Sequence, residues 1–210
     1  MSDEGEIKVL APLGTSRKKV EEVILHHSSW IEKRKSHIQT LEQPLKEHTY
    51  KSGDTFLLHG EILSLVVEKG LENQVMKREN SLIVTSMSLS VTSIKRLIEG
   101  YYDEYGLALY TKLVAHWIEQ LGLGEKSYTI GMTPYPKRLG SCSSLNHLSF
   151  ARRSLMMPLD LLDYLALHEV AHMVYFNHSV AFKNLLQIHM SDYKERFNRI
   201  KQLRLRIAHL

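Results

Sequence analysis

Cysteine is almost absent: Cys142 is the one thiol in 210 residues. A single cysteine excludes an intrachain disulfide framework and fits a reducing compartment. Long hydrophobic runs are missing too, and no stretch approaches the roughly 18 unbroken apolar residues that span a bilayer. The chain begins Met1-Ser2-Asp3-Glu4-Gly5-Glu6, acidic where a secretory signal would be basic and then apolar. A cytoplasmic protein without membrane attachment is the expectation. There is no internal repeat and no low-complexity tract. With 43% hydrophobic and 24% charged residues, the composition is not that of a disordered chain. The length suits one domain, or one with a smaller companion, and supports a core without disulfides or structural metal.

Net charge is +4. It is carried at the C-terminus, where Lys194, Arg196, Arg199, Lys201, Arg204 and Arg206 face only Asp192 and Glu195. Such a basic helix reads either as a solvated face or as a contact for the phosphates of a nucleic acid or nucleotide. Histidine, with 12 residues, is over-represented and hints at metal.

Residues 6–10 alternate weakly, like a short strand. Thr15 or Ser16 is placed to cap a helix running to about residue 37, with Val20, Val23, Ile24, Trp30 and Ile31 as its apolar stripe. Residues 55–59, 62–67 and 81–86 read as short strands separated by turn residues such as Gly60, and predict a small antiparallel sheet. Residues 92–121 predict one long helix. Its apolar stripe runs through Leu97, Tyr101, Tyr105, Leu109, Leu113 and Trp117, with Gly100 and Gly106 as candidate breaks. Residues 128–132 and 147–151 are further candidate strands, and the last 50 residues read as helical. The composition shifts near residue 90. This predicts an N-terminal subdomain, 1–90, of helix and strand, and a second part, 91–210, that ends in the basic helix.

Residues 168–172 read His-Glu-Val-Ala-His, the H-E-x-x-H pattern of zinc hydrolases. Four residues along a helix turn about 400°, so the two imidazoles lie about 40° apart and roughly 6 Å displaced along the axis. Both then reach one metal at about 2.0–2.1 Å. Glu169 points beside the metal rather than at it, where its carboxylate can take a proton from water. With 12 histidines and 17 glutamates, chance alone gives one such motif about 5% of the time, so context must decide. The context is apolar: Leu161, Leu162, Leu165, Ala166, Met173 and Phe176 surround the motif. In a buried helix, two unpaired histidines would be costly.

A third histidine, His178, follows His172 by six residues, the ligand spacing of the metzincins. Tyr175 stands where those proteins carry the glycine that turns the chain. The expected alternative is a helix ending near Phe176, with Asn177 in a left-handed conformation. Ser179 then caps a helix over 180–189, and His178 lies in the corner beside the metal.

The run HEVAHMVYFNHSVAF, with Asp192-Tyr193 downstream and RLGSCSS at Arg138 to Ser144, resembles the YgjP-like metallopeptidase family, related to SprT-like and thermolysin-like zincins. The family's RWGSCS motif is matched at Arg138, Gly140, Ser141, Cys142 and Ser143. It departs at Leu139, where the family usually has Trp, which bears on the packing under this loop and on the substrate wall. The resemblance covers most of the chain. It implies an α+β, zincin-like metallopeptidase domain with a small N-terminal β-containing subdomain. It further implies zinc held by His168, His172 and His178, Glu169 as general base, and a peptide or protein substrate.

The remaining candidates read less sharply. Arg138 is placed to stabilise an oxyanion or bind a carboxylate or phosphate, or else to serve as a structural ion-pair partner. Cys142 is a fourth soft ligand or a small buried thiol. His147 and Tyr193 are candidate electrophilic helpers. Asp192 either opens a capping box with Glu195 or, like Asp163, supports a ligand histidine. The other histidines show no ligand spacing. Two further functions stay open: a metal-dependent nucleotide phosphohydrolase using Arg138 and the basic helix, and a non-catalytic, metal-stabilised adaptor. A peptidase acting near nucleic acid would use the same basic helix.

Overall fold

The computed structural model describes residues 14–26, 48–134, 137–203 and 207. Two compact units are distinguished, Met1–Leu45 and Lys46–Leu210. In the first, α1 (Arg17–His26) starts where Ser16 accepts backbone hydrogen bonds from Lys19 and Val20. Arg17 pairs with Glu21 one turn on. The strand expected at 6–10 and the helix beyond residue 26 lie outside the described residues.

The second unit opens with β1 (Thr55–Leu58), β2 (Glu61–Lys69), β3 (Gln74–Arg78) and β4 (Ser81–Ser86). His59 and Gly60 join β1 to β2 with φ of 54° and 82°, the two left-handed residues of a type I′ hairpin. The strand order is β1-β2-β4-β3, and β2 pairs with β4 in parallel. The expected antiparallel sheet is therefore corrected to a mixed one. The cause is β3, which alternation does not reveal because four of its five side chains are exposed. It forms a hairpin with β4 on the outer edge, and that turns β4 parallel to β2.

The inner face of this sheet, Phe56, Leu58, Leu63, Leu65, Leu82 and Val84, belongs to one buried cluster with the long helix α2 (Val91–Gln120). Ser90 caps α2 by accepting from the Ser93 amide. The helix runs unbroken through Gly100 and Gly106. Its buried row is Ile94, Ile98, Tyr102, Gly106, Tyr110, Val114, Trp117 and Ile118. The expected stripe through Leu97, Tyr101 and Tyr105 packs at the flank instead. The row is displaced because Gly106, which carries no apolar side chain to signal it, sits at its centre. A Cβ there would come within 2.6 Å of Met132 and 2.8 Å of Leu155.

The second sheet contains β5 (Thr129–Thr133), β6 (Gly140–Cys142) and β7 (His147–Ala151), in the order β5-β7-β6. β7 is parallel to β5 and antiparallel to β6, which forms one edge. A 3-10 segment, Arg152–Met156, follows and ties the sheets together. Its Leu155 and Met156 carbonyls accept from His59 and Gly60 of the hairpin turn, and Arg152 holds Asp103 of α2 with two hydrogen bonds. Pro158 then opens α3 (Leu159–Ala171), followed by α4 (Val180–His189) and α5 (Tyr193–Leu203). The result is an α+β arrangement with two small sheets. No helix among the described residues is long and apolar enough to cross a membrane.

Candidate metal centre

Helix α3 carries the H-E-x-x-H motif, and nine of its thirteen residues are buried. The α-helix stops at Ala171, five residues before the expected end. Met173 and Val174 close the last turn with bonds to the carbonyls three residues back. Lys126 donates to the Met173 carbonyl at 2.7 Å, satisfying an acceptor that the helix end leaves open. Asn177 does not adopt the left-handed conformation expected of it. Its side-chain oxygen accepts instead from the Ser179 amide at 3.2 Å. Ser179 in turn caps α4 through the Phe182 amide, as expected.

This compact corner brings His178 back onto α3. Ring nitrogens of His168, His172 and His178 all lie within 4.8 Å of one another. His168 Nε2 and His178 Nε2 are 3.1 Å apart. In a tetrahedral site with bonds of about 2.0–2.1 Å, ligand nitrogens sit about 3.4 Å apart, and three imidazoles converging this closely form a donor set able to hold a divalent ion. The tautomers fit as well. His172 Nδ1 donates to the Tyr175 carbonyl at 3.0 Å, which leaves its Nε2 unprotonated and free to bind a cation. The Tyr164 hydroxyl lies 3.2 Å from His168 Nδ1. Burial, followed by the neighbouring imidazoles, pushes His168 down to about 3, so this ring is neutral as ligation requires. Phe182 packs against all three rings, with centroids 4.7 to 5.1 Å away.

Glu169 is only 4% exposed, and burial pushes its carboxyl up to about 8. Its neighbour across the packing is β6. A Cβ on Gly140 would lie 2.6 Å from Glu169 Oε1, so the bare backbone of the edge strand rests on this carboxylate. Cys142 on the same strand and Tyr110 on α2 are close enough to feel its charge.

The other candidates are spread around this centre. Arg138 is exposed just before β6 and makes no ion pair among the described residues. Leu139 is buried in the core. His147 begins β7, exposed, with Nδ1 2.6 Å from the Thr129 hydroxyl. Tyr193 is buried and near enough to Tyr164 to raise its phenol. Asp163, expected as support for a ligand histidine, instead accepts from Trp117 Nε1 at 2.8 Å and pairs with Arg196. Asp192 is not bonded to a histidine, nor does its side chain cap α5; it pairs with Arg196 one turn on. Tyr164 and Phe182 were missed by motif reasoning. Tyr164 had a signal, since it lies one helical turn before His168. Phe182 had none beyond its place four residues after His178.

Over residues 1–203 the sequence matches the YgjP-like family, described as a YgjP-like, metallopeptidase domain. The chain belongs to this family. Membership makes it a metal-dependent peptidase by family, and the cluster of three histidines is a group able to hold the divalent ion this implies. No curated protein matches the chain. Among solved structures, it is similar to the metallopeptidase zymogen of Methanocaldococcus jannaschii jannalysin. The TM-score is 0.40 and the identity 23%, over 44% of this YgjP-like chain and 94% of jannalysin.

Proposed function

We propose that this chain is a zinc-dependent metallopeptidase in which His168, His172 and His178 hold the ion and Glu169 is the general base. The observation that carries the reading is the convergence of three imidazole nitrogens within 4.8 Å, with a buried carboxylate beside the first of them. Zinc held there would supply Lewis acidity to a water molecule and to the scissile carbonyl. Glu169 takes the proton of that water as it attacks and passes it to the leaving amine. With Nε2 of His168 given to the ion, Nδ1 would carry the proton and donate to the Tyr164 hydroxyl oxygen 3.2 Å away, which would fix the ring.

An extended peptide has a place to lie. Leu139 accepts from the Ala151 amide, so residues 139 and 151 form a hydrogen-bonded pair of the antiparallel ladder. Alternation then turns the N–H and C=O groups of Gly140 and Cys142 to the open edge of β6. A substrate strand pairing there runs past Glu169. Arg138, free of ion pairs among the described residues, meets a substrate carboxylate or a developing oxyanion.

The basic helix favours no second reading. Arg196 and Arg199, two of its cations, are committed to Asp163, Asp192 and Asp160. The deciding experiment is metal content by elemental mass spectrometry on the purified protein and on His178→Ala, followed by peptide hydrolysis by the protein and by Glu169→Gln. One zinc per chain, lost in His178→Ala, with hydrolysis abolished in Glu169→Gln, is expected. Phosphate release from nucleotides without proteolysis, or zinc that stabilises a chain without activity, would replace this reading with a phosphohydrolase or an adaptor.

A further inference from the structure

Gly140 has no conformational reason to be glycine. The glycines with positive φ are Gly14, Gly53, Gly60 and Gly122 among the described residues, and Gly140 is not one of them. Any residue adopts its backbone geometry. What excludes a side chain is the neighbour. A Cβ would lie 2.6 Å from Glu169 Oε1 and 2.9 Å from both Cδ and Cγ, well inside the contact distance of about 3.5 Å. The sheet as a whole makes no such demand, since a Cβ on Gly131 of β5 would meet nothing nearer than 3.4 Å.

We infer that Gly140 is a positioning residue for Glu169: the bare backbone of β6 is the wall that sets where the carboxylate stands beside the three imidazoles. The inference rests on the reading of Glu169 as the base. A glutamate has three rotatable bonds, and α3 fixes only where they begin. The wall supplies the missing constraint, and it is itself anchored. β6 is hydrogen-bonded to β7, where Phe150 stacks on Tyr110 of α2 with centroids 3.7 Å apart. The Tyr110 hydroxyl is held by Ser154 at 2.7 Å. A side chain at position 140 must therefore push the carboxylate aside by about 1 Å, since the strand behind it is the better-held partner.

The test is a stability and metal cycle that needs no substrate. Gly140→Ala is expected to lower Tm by about 4–8 °C in the native sequence and to lose most of that effect in the Glu169→Ala background, where the three atoms nearest the new Cβ are gone. Zinc affinity, measured by competition with a chromophoric chelator, is expected to stay within about threefold, because the three histidines are untouched. An equal Tm loss in both backgrounds, or none in the native sequence, overturns the inference, as does loss of zinc in Gly140→Ala. Hydrolysis of a quenched-fluorescent peptide adds a kinetic arm: kcat is expected to fall about 100-fold at unchanged KM. Failure of the native protein to bind zinc would sink the peptidase reading, while the Tm cycle would still decide whether Gly140 sets the position of Glu169.

Discussion

Tyr164 sets its hydroxyl 3.2 Å from Nδ1 of His168, one turn further along the same helix. The bond fixes the ring plane and directs Nε2 to the histidine cluster. Removing the hydroxyl in Tyr164→Phe keeps the packing and deletes the hydrogen bond. Zinc affinity is expected to fall about 10-fold, as is usual when a ligand histidine loses its outer partner. Competition with a chromophoric chelator measures this, and an unchanged affinity would refute the role.

Glu169 is next to a ligand candidate but is not itself one of the clustered groups. Glu169→Gln is therefore expected to retain one zinc per chain while losing about 10²–10⁴-fold in peptide hydrolysis. Elemental analysis and kinetics on the same preparation separate the two effects. Loss of metal in this variant would place the carboxylate among the ligands.

Phe182 is 1% exposed and packs against the rings of all three histidines. Phe182→Ala opens a cavity under the cluster and is expected to cost about 3–5 kcal/mol of stability. Urea unfolding of the zinc-free protein reads this directly. A loss below about 1 kcal/mol would show that the corner collapses to fill the space.

Burial holds His48 and His59 below their ordinary value of 6.5. The unfolded chain then binds these protons more readily than the folded one. Above pH 6.5 both states are neutral and stability is unaffected; as pH falls below 6.5 toward the folded values, stability is lost. His59→Asn keeps a residue that tolerates positive φ and makes the hairpin turn Asn-Gly, a preferred type I′ pair. Its unfolding free energy is expected to fall less steeply between pH 7 and pH 5 than that of the native sequence. Equal slopes in the two proteins would contradict the assignment.

Arg196 is mostly buried and ties α5 to α3 through Asp163 and the Asp160 carbonyl. Arg196→Ala is expected to destabilise the protein by about 1–2 kcal/mol without changing its affinity for duplex DNA. Fluorescence anisotropy at low salt checks the second half. A DNA affinity that falls with this substitution would restore the phosphate-contact reading of the basic helix.

Local chemistry determined much of this protein before any folding was considered. The H-E-x-x-H spacing needs only the helical repeat to put two imidazoles on one face, and Ser179 needs only its own hydroxyl to start the next helix. Alternation likewise marked β4 and the inner residues of β1 and β2. Tertiary structure decided the rest, because the deciding contacts join residues far apart in sequence. Whether α2 buries the row of Tyr102 or that of Tyr101 depends on where Met132 and Leu155 approach Gly106. The parallel pairing of β4 with β2 depends on an edge strand whose side chains carry little apolar signal. Arg196 and Arg199 read as a charged surface in one dimension and become ties to α3 in three. Nor could spacing place Gly140 against Glu169, twenty-nine positions later in the chain: only the packing of β6 on α3 makes the absence of a side chain at one residue the condition for the position of another.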